Sequence, residues 1–336
     1  MAGQIVLDDL IFRLQPFGGI STYWLCLLNS LRARQVAHRL EPAPELLSFR
    51  PLRLRDAVFH GSYNRYAFGR DVRNVVTVHD LTFEHHRVAT RTALISRALR
   101  KRSIEAADAI ICVSEATRQD LLDVYGAAVK GKLIAVAHHG SPHSLPGQRL
   151  ERLPQPWSYA SREKRILFVG VRGGYKNFAA ALHGFRESGL KDEGFTLACT
   201  GFEFTPEEQA LIDSLDLAGA VTYAGILTTH SLWNLYCRSL GLVYPSRYEG
   251  FGLPVLEAMA FGCVPVVARI PALMEVVGSS TELFEPDDIG AIGASLRKIV
   301  DPGEWLERSE RVRERAATFS WETSLAQHLA VYRSFA

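Results

Sequence analysis

The chain has 336 residues, 47% hydrophobic and 22% charged, enough for two ordinary domains that each bury a full core. Disordered, collagen-like and disulfide-stapled miniature proteins are excluded, and a formal net charge of +2 gives no global field of the kind that marks a nucleic-acid partner. The charge is uneven: residues 1–102 hold 16 Lys+Arg against 8 Asp+Glu, a local +8, and the remainder a local −6. An anionic partner for the front half, such as a membrane surface, fits this count, and so do ordinary solvated faces. Cys26, Cys112, Cys199, Cys237 and Cys263 stand singly in apolar stretches with no C-x-x-C pair, as buried thiols in a reducing compartment do. The first residues lack the pattern of a signal peptide and no apolar run reaches the ~20 residues of a spanning helix. A cytoplasmic protein is expected, with peripheral contact to the inner membrane left open.

Short β-branched runs alternate with helix-length amphipathic segments, the pattern of α/β proteins with parallel sheets. In the front half, strands are expected at 4–8, 57–60, 75–79, 109–114 and 133–138, with helices at 20–31, 89–106 and 115–125. Periodicity fails over 141–163, where Pro142, Pro146, Pro154 and Pro156 crowd among polar residues as in a linker. The alternation then restarts with strands at 166–170, 195–200, 221–223, 240–244 and 264–268. Helices are expected at 178–188, 206–215, 231–237, 254–261, 288–299 and 302–318, and a last one at 321–335. The expected fold class is α/β: two doubly wound, Rossmann-like domains facing across a cleft. Their expected bounds are 1–150 and 151–318, with residues 319–336 as a terminal helix packing back on the first domain.

The strongest motif runs from Tyr244 to Val267. A strand enters a glycine-bearing loop, and Pro254 stands where a helix starts, because its missing N–H costs nothing in the first turn. The amides of Gly252 and Leu253 would then face an anion at the ligand edge of the sheet. Glu249 lies in this loop and Glu257 one turn into an apolar helix, eight positions on, so both carboxylates can face one crevice, and the buried one needs hydrogen-bonding or cationic partners. A second motif, 166–177, places Arg172 and Lys176 in a glycine loop between a strand and a helix. Two such cations suit a diphosphate. The loop is not a Walker P-loop, because G-x-x-x-x-G-K-[ST] is absent, and no G-x-G-x-x-G follows the first strand.

Together Glu249-x7-Glu257 with its Gly250-Phe251-Gly252-Leu253-Pro254 core, Arg172, Lys176-Asn177, Gly225 ahead of Ser231-Leu232, and Phe17-Gly18-Gly19-Ile20-Ser21 resemble the retaining family 4 glycosyltransferases of the GT-B fold. The resemblance implies a nucleoside-diphosphate sugar donor (GDP-, dTDP- or UDP-linked), no other cofactor and no metal. It implies that Glu249 lies beside the donor sugar, that Phe251, Gly252 and Leu253 lend backbone contacts, and that Glu257 holds the ribose hydroxyls. Arg172 and Lys176 would neutralise the diphosphate, Gly225, Ile226 and Leu227 would seat the base, and Gly18 and Gly19 would close over the phosphates. His79 matches a histidine near sugar and acceptor. Many members place five positions between the Arg and the Lys, whereas Arg172 and Lys176 are four apart. The front segment resembles enzymes that build bacterial surface polysaccharides with mannose or rhamnose donors, on glycan or lipid-linked acceptors.

Three histidines in the run His79 to His86 have the chemistry of zinc ligands, but their spacing matches no common site. Arg87, Arg91, Arg97, Arg100, Lys101 and Arg102 surround Leu94, Ile95, Ala98 and Leu99, so the segment is either a solvated face, the preferred reading, or a basic helix lying on an anionic bilayer. His138 and His139 are read as loop residues near the hinge. The expected activity is retaining hexosyl transfer; the alternatives are a catalytically silent GT-B protein that binds a nucleotide-sugar or glycan, and a nucleotide-sugar epimerase on the same architecture.

Overall fold

A computed structural model describes residues 4–16, 18–42, 50–85, 91–145 and 158–335. Phe17, His86, Arg87 and the 146–157 part of the proline-rich stretch lie outside the described residues. The chain divides into two compact units: residues 1–140, 144–147 and 319–336 form one, and residues 141–143 and 148–318 the other.

The first unit runs β1 (Gln4–Asp8), α1 (Leu10–Leu14), α2 (Gly19–Ala33), β2 (His38–Glu41), β3 (Leu52–Gly61), β4 (Ala67–Val78), α3 (Thr82–His85), α4 (Arg91–Ala106), β5 (Ala109–Cys112), α5 (Glu115–Val129) and β6 (Leu133–Val136). Its sheet has the order β2-β1-β3-β4-β5-β6, with parallel ladders. The two-residue repeat of a strand divides β5 between two cores. Ala109 and Ile111 face a cluster with Val331 and Tyr332 of the terminal helix, while Ile110 and Cys112 pack with Ile104 and Leu121 of α4 and α5. Strands β3 and β4 begin well before the residues expected from sequence. Their early halves are polar, and both break at one rung, where Asp56 and Asp71 adopt φ of +48° and +54°.

The second unit runs β7 (Glu163–Phe168), α6 (Phe178–Glu187), β8 (Thr196–Thr200), α7 (Pro206–Ser214), β9 (Val221–Gly225), α8 (Thr229–Arg238), β10 (Ser239–Tyr244), α9 (Leu253–Ala260), β11 (Val264–Ala268), α10 (Pro271–Val277), β12 (Leu283–Phe284), α11 (Ile289–Ile299) and α12 (Trp305–Ala317). Its sheet order is β12-β11-β10-β7-β8-β9, again with parallel ladders. Every residue of β10 and β11 is buried, as strands covered on both faces must be. Buried Arg162 donates to the carbonyls of Tyr236, Ser239 and Phe261, a cation set against the carboxyl ends of α8 and α9.

The terminal helix α13 (Trp321–Arg333) packs on the first unit, its Trp321 and Leu325 in one core with Tyr23, Trp24 and Leu27 of α2. A chain of polar groups fastens it. His328 Nδ1 lies 2.7 Å from the Ser324 carbonyl and Nε2 2.6 Å from the Tyr23 hydroxyl, which lies 3.1 Å from Thr77 Oγ1. His60 closes the chain, with Nε2 2.8 Å from Thr77 Oγ1 and Nδ1 2.7 Å from the Tyr332 hydroxyl. Burial holds His328 down to about 4 and His60 well below its ordinary value, so both imidazoles are neutral near pH 7. With the rings neutral, one carbonyl places the protons. The Ser324 carbonyl can only accept, so His328 carries its proton on Nδ1 and accepts from Tyr23 at Nε2. Tyr23 then accepts from Thr77, Thr77 accepts from His60 Nε2–H, and Tyr332 donates to His60 Nδ1.

The sign of the pH dependence follows. An unfolded histidine takes up a proton near pH 6.5 and buried His328 only near 4, so this stability is full above 6.5 and is lost as the pH falls between those values. His328 alone should cost roughly 2 kcal/mol at pH 5. Thermal unfolding followed by tryptophan fluorescence, with Trp24 and Trp321 in this core, should show a midpoint that drops steeply from pH 6.5 to 4. A flat profile would mean that the histidines are hydrated.

Candidate active site

In the second sheet the chain lays strands outward from β7 through β8 to β9, then returns to place β10 on the other side of β7. The reversal lies between β7 and β10, and open α/β sheets bind ligands where the loops diverge at such a point. The loop after β7 carries Lys176 and the loop after β10 carries Glu249. The Lys176 ammonium donates to Glu249 Oε1 at 2.6 Å and to the hydroxyl of buried Tyr244 at 2.7 Å. Further bonds tie the loops together. The Arg247 amide donates to the Tyr175 carbonyl at 2.8 Å, and Asp287 accepts from both Asn177 and the Arg247 guanidinium.

Helix α9 opens at Gly252, whose φ is +100° and where a Cβ would stand 2.5 Å from Leu273 Cδ2, so only glycine fits. No side chain caps this helix, which leaves its positive end for an anion. Leu253 is its first residue and Pro254 its second, and the Phe251 side chain is buried beneath the loop. Glu257 lies inside, 6% exposed, accepting from Trp233 Nε1 and the Tyr236 hydroxyl at 3.4 Å each. Neither donor is charged, and burial pushes this carboxyl up to about 7.

Arg172 does not join Lys176, contrary to the pairing expected from sequence. Its guanidinium, 4% exposed, donates to Glu208 and to the carbonyls of Thr200, Phe202 and Glu203. It lies 4.7 Å from the Phe204 ring centroid and 5.6 Å from that of Phe178. The physical reason is its place in the loop: four residues past the end of β7, its side chain turns to the end of β8 and the loop that follows, where backbone carbonyls and the Glu208 carboxylate absorb its fork of donors. Gly225 ends β9, Ile226 is 58% exposed and Leu227 half-buried.

The other expected site residues belong to the first unit. Gly18 caps α2 with φ of +152°, where a Cβ would stand 2.3 Å from Gln15 Nε2, whereas a Cβ on Gly19 would meet nothing within 4 Å. His79 follows β4, with its ring edge-on to Tyr23 at 4.8 Å between centroids. Its Nε2 is buried without a hydrogen-bond partner, and burial lowers the imidazole to about 4. Arg100, expected on a basic face, turns inward to Glu84 at 2.7 Å, leaving Leu94 (55% exposed) and Ile95 (50%) outside with Lys101 and Arg102. Among the described residues no helix is long and apolar enough to cross a membrane.

Two Rossmann-like domains, the second holding a cation against a carboxylate at its switch point, define a glycosyltransferase of the GT-B type. The family model described as Glycosyl transferases group 1 matches residues 151–319, half of the chain, and the Glycosyltransferase Family 4 model matches residues 53–145. The chain belongs to the group 1 glycosyl transferases. It is 27% identical over 288 residues to O-antigen chain mannosyltransferase B of Escherichia coli, covering 83% of this chain and 74% of that protein. The E. coli serotype-specific mannosyltransferase WbdA matches at 27% over 68% of this chain, which spans 28% of WbdA. Among solved structures, sucrose-phosphate synthase from Thermosynechococcus elongatus superposes with a TM-score of 0.75 at 18% identity, over 99% of this chain and 98% of that one. Anabaena Alr3699/HepE in complex with UDP and glucose gives 0.72 at 15%, over 99% and 100%.

Glu257 offers a direct check on the site's electrostatics. A carboxyl raised from 4.5 to about 7 contributes stability that is complete below 4.5 and lost as pH rises through 7. Glu257→Gln removes the charge that must be buried at high pH. Thermal melts should show the variant more stable than wild type at pH 8 by roughly 3 kcal/mol and little changed at pH 4.5. Equal melting at both pH values would mean that the carboxylate is fully compensated.

Proposed function

We propose that the chain moves a hexosyl group of mannose or rhamnose type from a nucleoside-diphosphate sugar to a hydroxyl of a glycan or lipid-linked acceptor. The anomeric configuration is retained, without a metal, in the synthesis of a cell-surface polysaccharide. The Lys176–Glu249 pair at the switch point carries this reading. Support for the sugar and the product comes from the O-antigen chain mannosyltransferases among its relatives, including RfbU of Salmonella typhimurium at 26% identity over 67% of this chain and 60% of that protein. Support for the donor comes from structural neighbours solved with UDP.

As the bond from the anomeric carbon to the diphosphate oxygen breaks, negative charge grows on the leaving group, and Lys176 with the amino end of α9 stabilises it there. The acceptor oxygen attacks from the same face, and the departing phosphate oxygen takes its proton, so no enzyme nucleophile is needed. Glu249 orients Lys176 and stabilises the oxocarbenium-like sugar. Glu257 holds the ribose. The exposed Leu94 and Ile95 beside Lys101 and Arg102 support contact with an anionic bilayer on the cytoplasmic side.

The test is thermal shift and turnover with GDP-, UDP-, dTDP- and ADP-sugars, with and without EDTA. One donor should stabilise the protein and be turned over regardless of EDTA, with product of unchanged anomeric configuration by NMR. Lys176→Ala should lower kcat about 100-fold, about 3 kcal/mol of barrier. No response to any donor overturns the reading. Flotation with anionic vesicles at low salt should recover the protein, and Leu94→Ser with Ile95→Ser should release it; no wild-type flotation overturns the membrane contact.

A further inference from the structure

Three adjacent strands of the second sheet end in glycines that touch. Gly170, Gly201 and Gly225 have φ of +124°, +108° and +87°. The Gly201 amide donates to the Gly225 carbonyl at 3.0 Å, and a Cβ on Gly201 would stand 3.1 Å from the Gly170 carbonyl oxygen. Each glycine is followed by a large apolar residue left in solvent: Val171 is 62% exposed, Phe202 67% and Ile226 58%. β7 and β8 behind them bury Ile166, Leu167, Phe168, Leu197, Ala198 and Cys199, so an apolar row along the ligand edge of the sheet is an unfilled surface of the kind that marks a ligand.

The row is continuous with the cationic site. A Cβ on Gly170 would be 3.8 Å from Lys176 Cε, so the ammonium-bearing chain crosses the first glycine and Phe202 leaves from the second. A ligand with its anion at Lys176 and a flat apolar group on Phe202 must reach from the end of β7 to that of the adjacent β8, about one strand spacing of roughly 5 Å plus the reach of the two side chains. A nucleoside diphosphate has that layout, with the ribose between. Arg172 is the clamp beneath: it reaches from the β7 loop to hold the carbonyls of Thr200, Phe202 and Glu203 and the carboxylate of Glu208. Bonds to the end of β8, to two carbonyls of the loop and to Glu208 of α7 hold the backbone from which Phe202 projects.

We propose that Phe202 is the platform on which the donor's base stacks, and that Arg172 is a positioning residue acting through it; this rests on the nucleotide-sugar reading above. Every base has a π face, so the platform adds affinity for whichever nucleoside diphosphate the enzyme takes, with Val171 and Ile226 flanking it.

The test is calorimetric titration of wild type, Phe202→Ala, Phe202→Tyr and Arg172→Lys with that nucleoside diphosphate and, separately, with inorganic diphosphate. Phe202→Ala should weaken the nucleoside diphosphate about tenfold or more and leave inorganic diphosphate unchanged, and Phe202→Tyr should restore binding. In turnover, Phe202→Ala should raise KM for the donor far more than it lowers kcat. Arg172→Lys should follow the same pattern, its melting temperature reporting on the fold. Unchanged nucleoside diphosphate affinity in Phe202→Ala overturns the platform. Parallel loss of inorganic diphosphate in Arg172→Lys overturns the positioning role and makes Arg172 a phosphate cation. Wild type that binds neither probe defeats the donor reading itself, a result distinct from both.

Discussion

Parallel pairing is the constraint from which the second unit's chemistry follows. With its ladders parallel, the carboxyl ends of β7 to β11 collect on one edge, and each must leave it by a loop. The helices that cover both faces bury β10 and β11 completely, so polar side chains have no place along these strands and gather beyond their ends. The reversal of strand order between β7 and β10 then sends two neighbouring loops to opposite faces and opens the crevice that Lys176 and Glu249 enter from either side.

The charge in that crevice is economical. Lys176 already spends one contact on Glu249 and one on Tyr244, so a diphosphate arrives at a balanced pair and must share the ammonium with a carboxylate. The positive end of α9, uncapped by any side chain, supplies attraction that no carboxylate offsets. Arg172 adds none while its guanidinium is saturated by carbonyls and Glu208. Its contribution to an anion, where it makes one, runs through the loop it holds. Two arginines in adjacent loops thus do different work: Arg247 ties loops together through Asp287 at the surface, while Arg172 does so from within.

Much of this was legible in the sequence, because hydrophobic period and glycine punctuation are local signals. The alternation of apolar runs and amphipathic segments located β1, β5, β11 and the principal helices, and the block from Tyr244 to Val267 located the site's second loop. What was missed depended on neighbours distant in sequence. Strand β2 is a polar edge strand, and the early parts of β3 and β4 interleave arginines and aspartates with a few apolar residues, so only their partners make them strands. Helix α10 and strand β12 are too short to display a period. Arg172 was paired with Lys176 because both cations stand in one glycine loop ahead of a helix, yet the carbonyls that capture it lie some thirty residues on. Phe202 had a signal that went unread: Gly170-Val171, Gly201-Phe202 and Gly225-Ile226 repeat one pattern, a glycine and then a large apolar residue just past each of three strands.

The two units respond to protons with opposite sign. In the first, burial keeps His328 and His60 neutral, and the chain from Ser324 through His328, Tyr23, Thr77 and His60 to Tyr332 is satisfied in that state. Acid works against it. In the second, Glu257 sits among neutral donors in a helix buried on most sides, and it is alkali that forces a charge there. The two dependences oppose one another over nearly the same range, acid costing the first unit as the pH falls from 6.5 toward 4 and rising pH costing the second between 4.5 and about 7. The core histidines and the buried carboxyl therefore offset one another between those limits, and the protonation of Glu257 sets how its oxygens can hold a hydroxyl: the neutral carboxyl can donate as well as accept, while the charged one accepts more strongly at the cost of burying its charge.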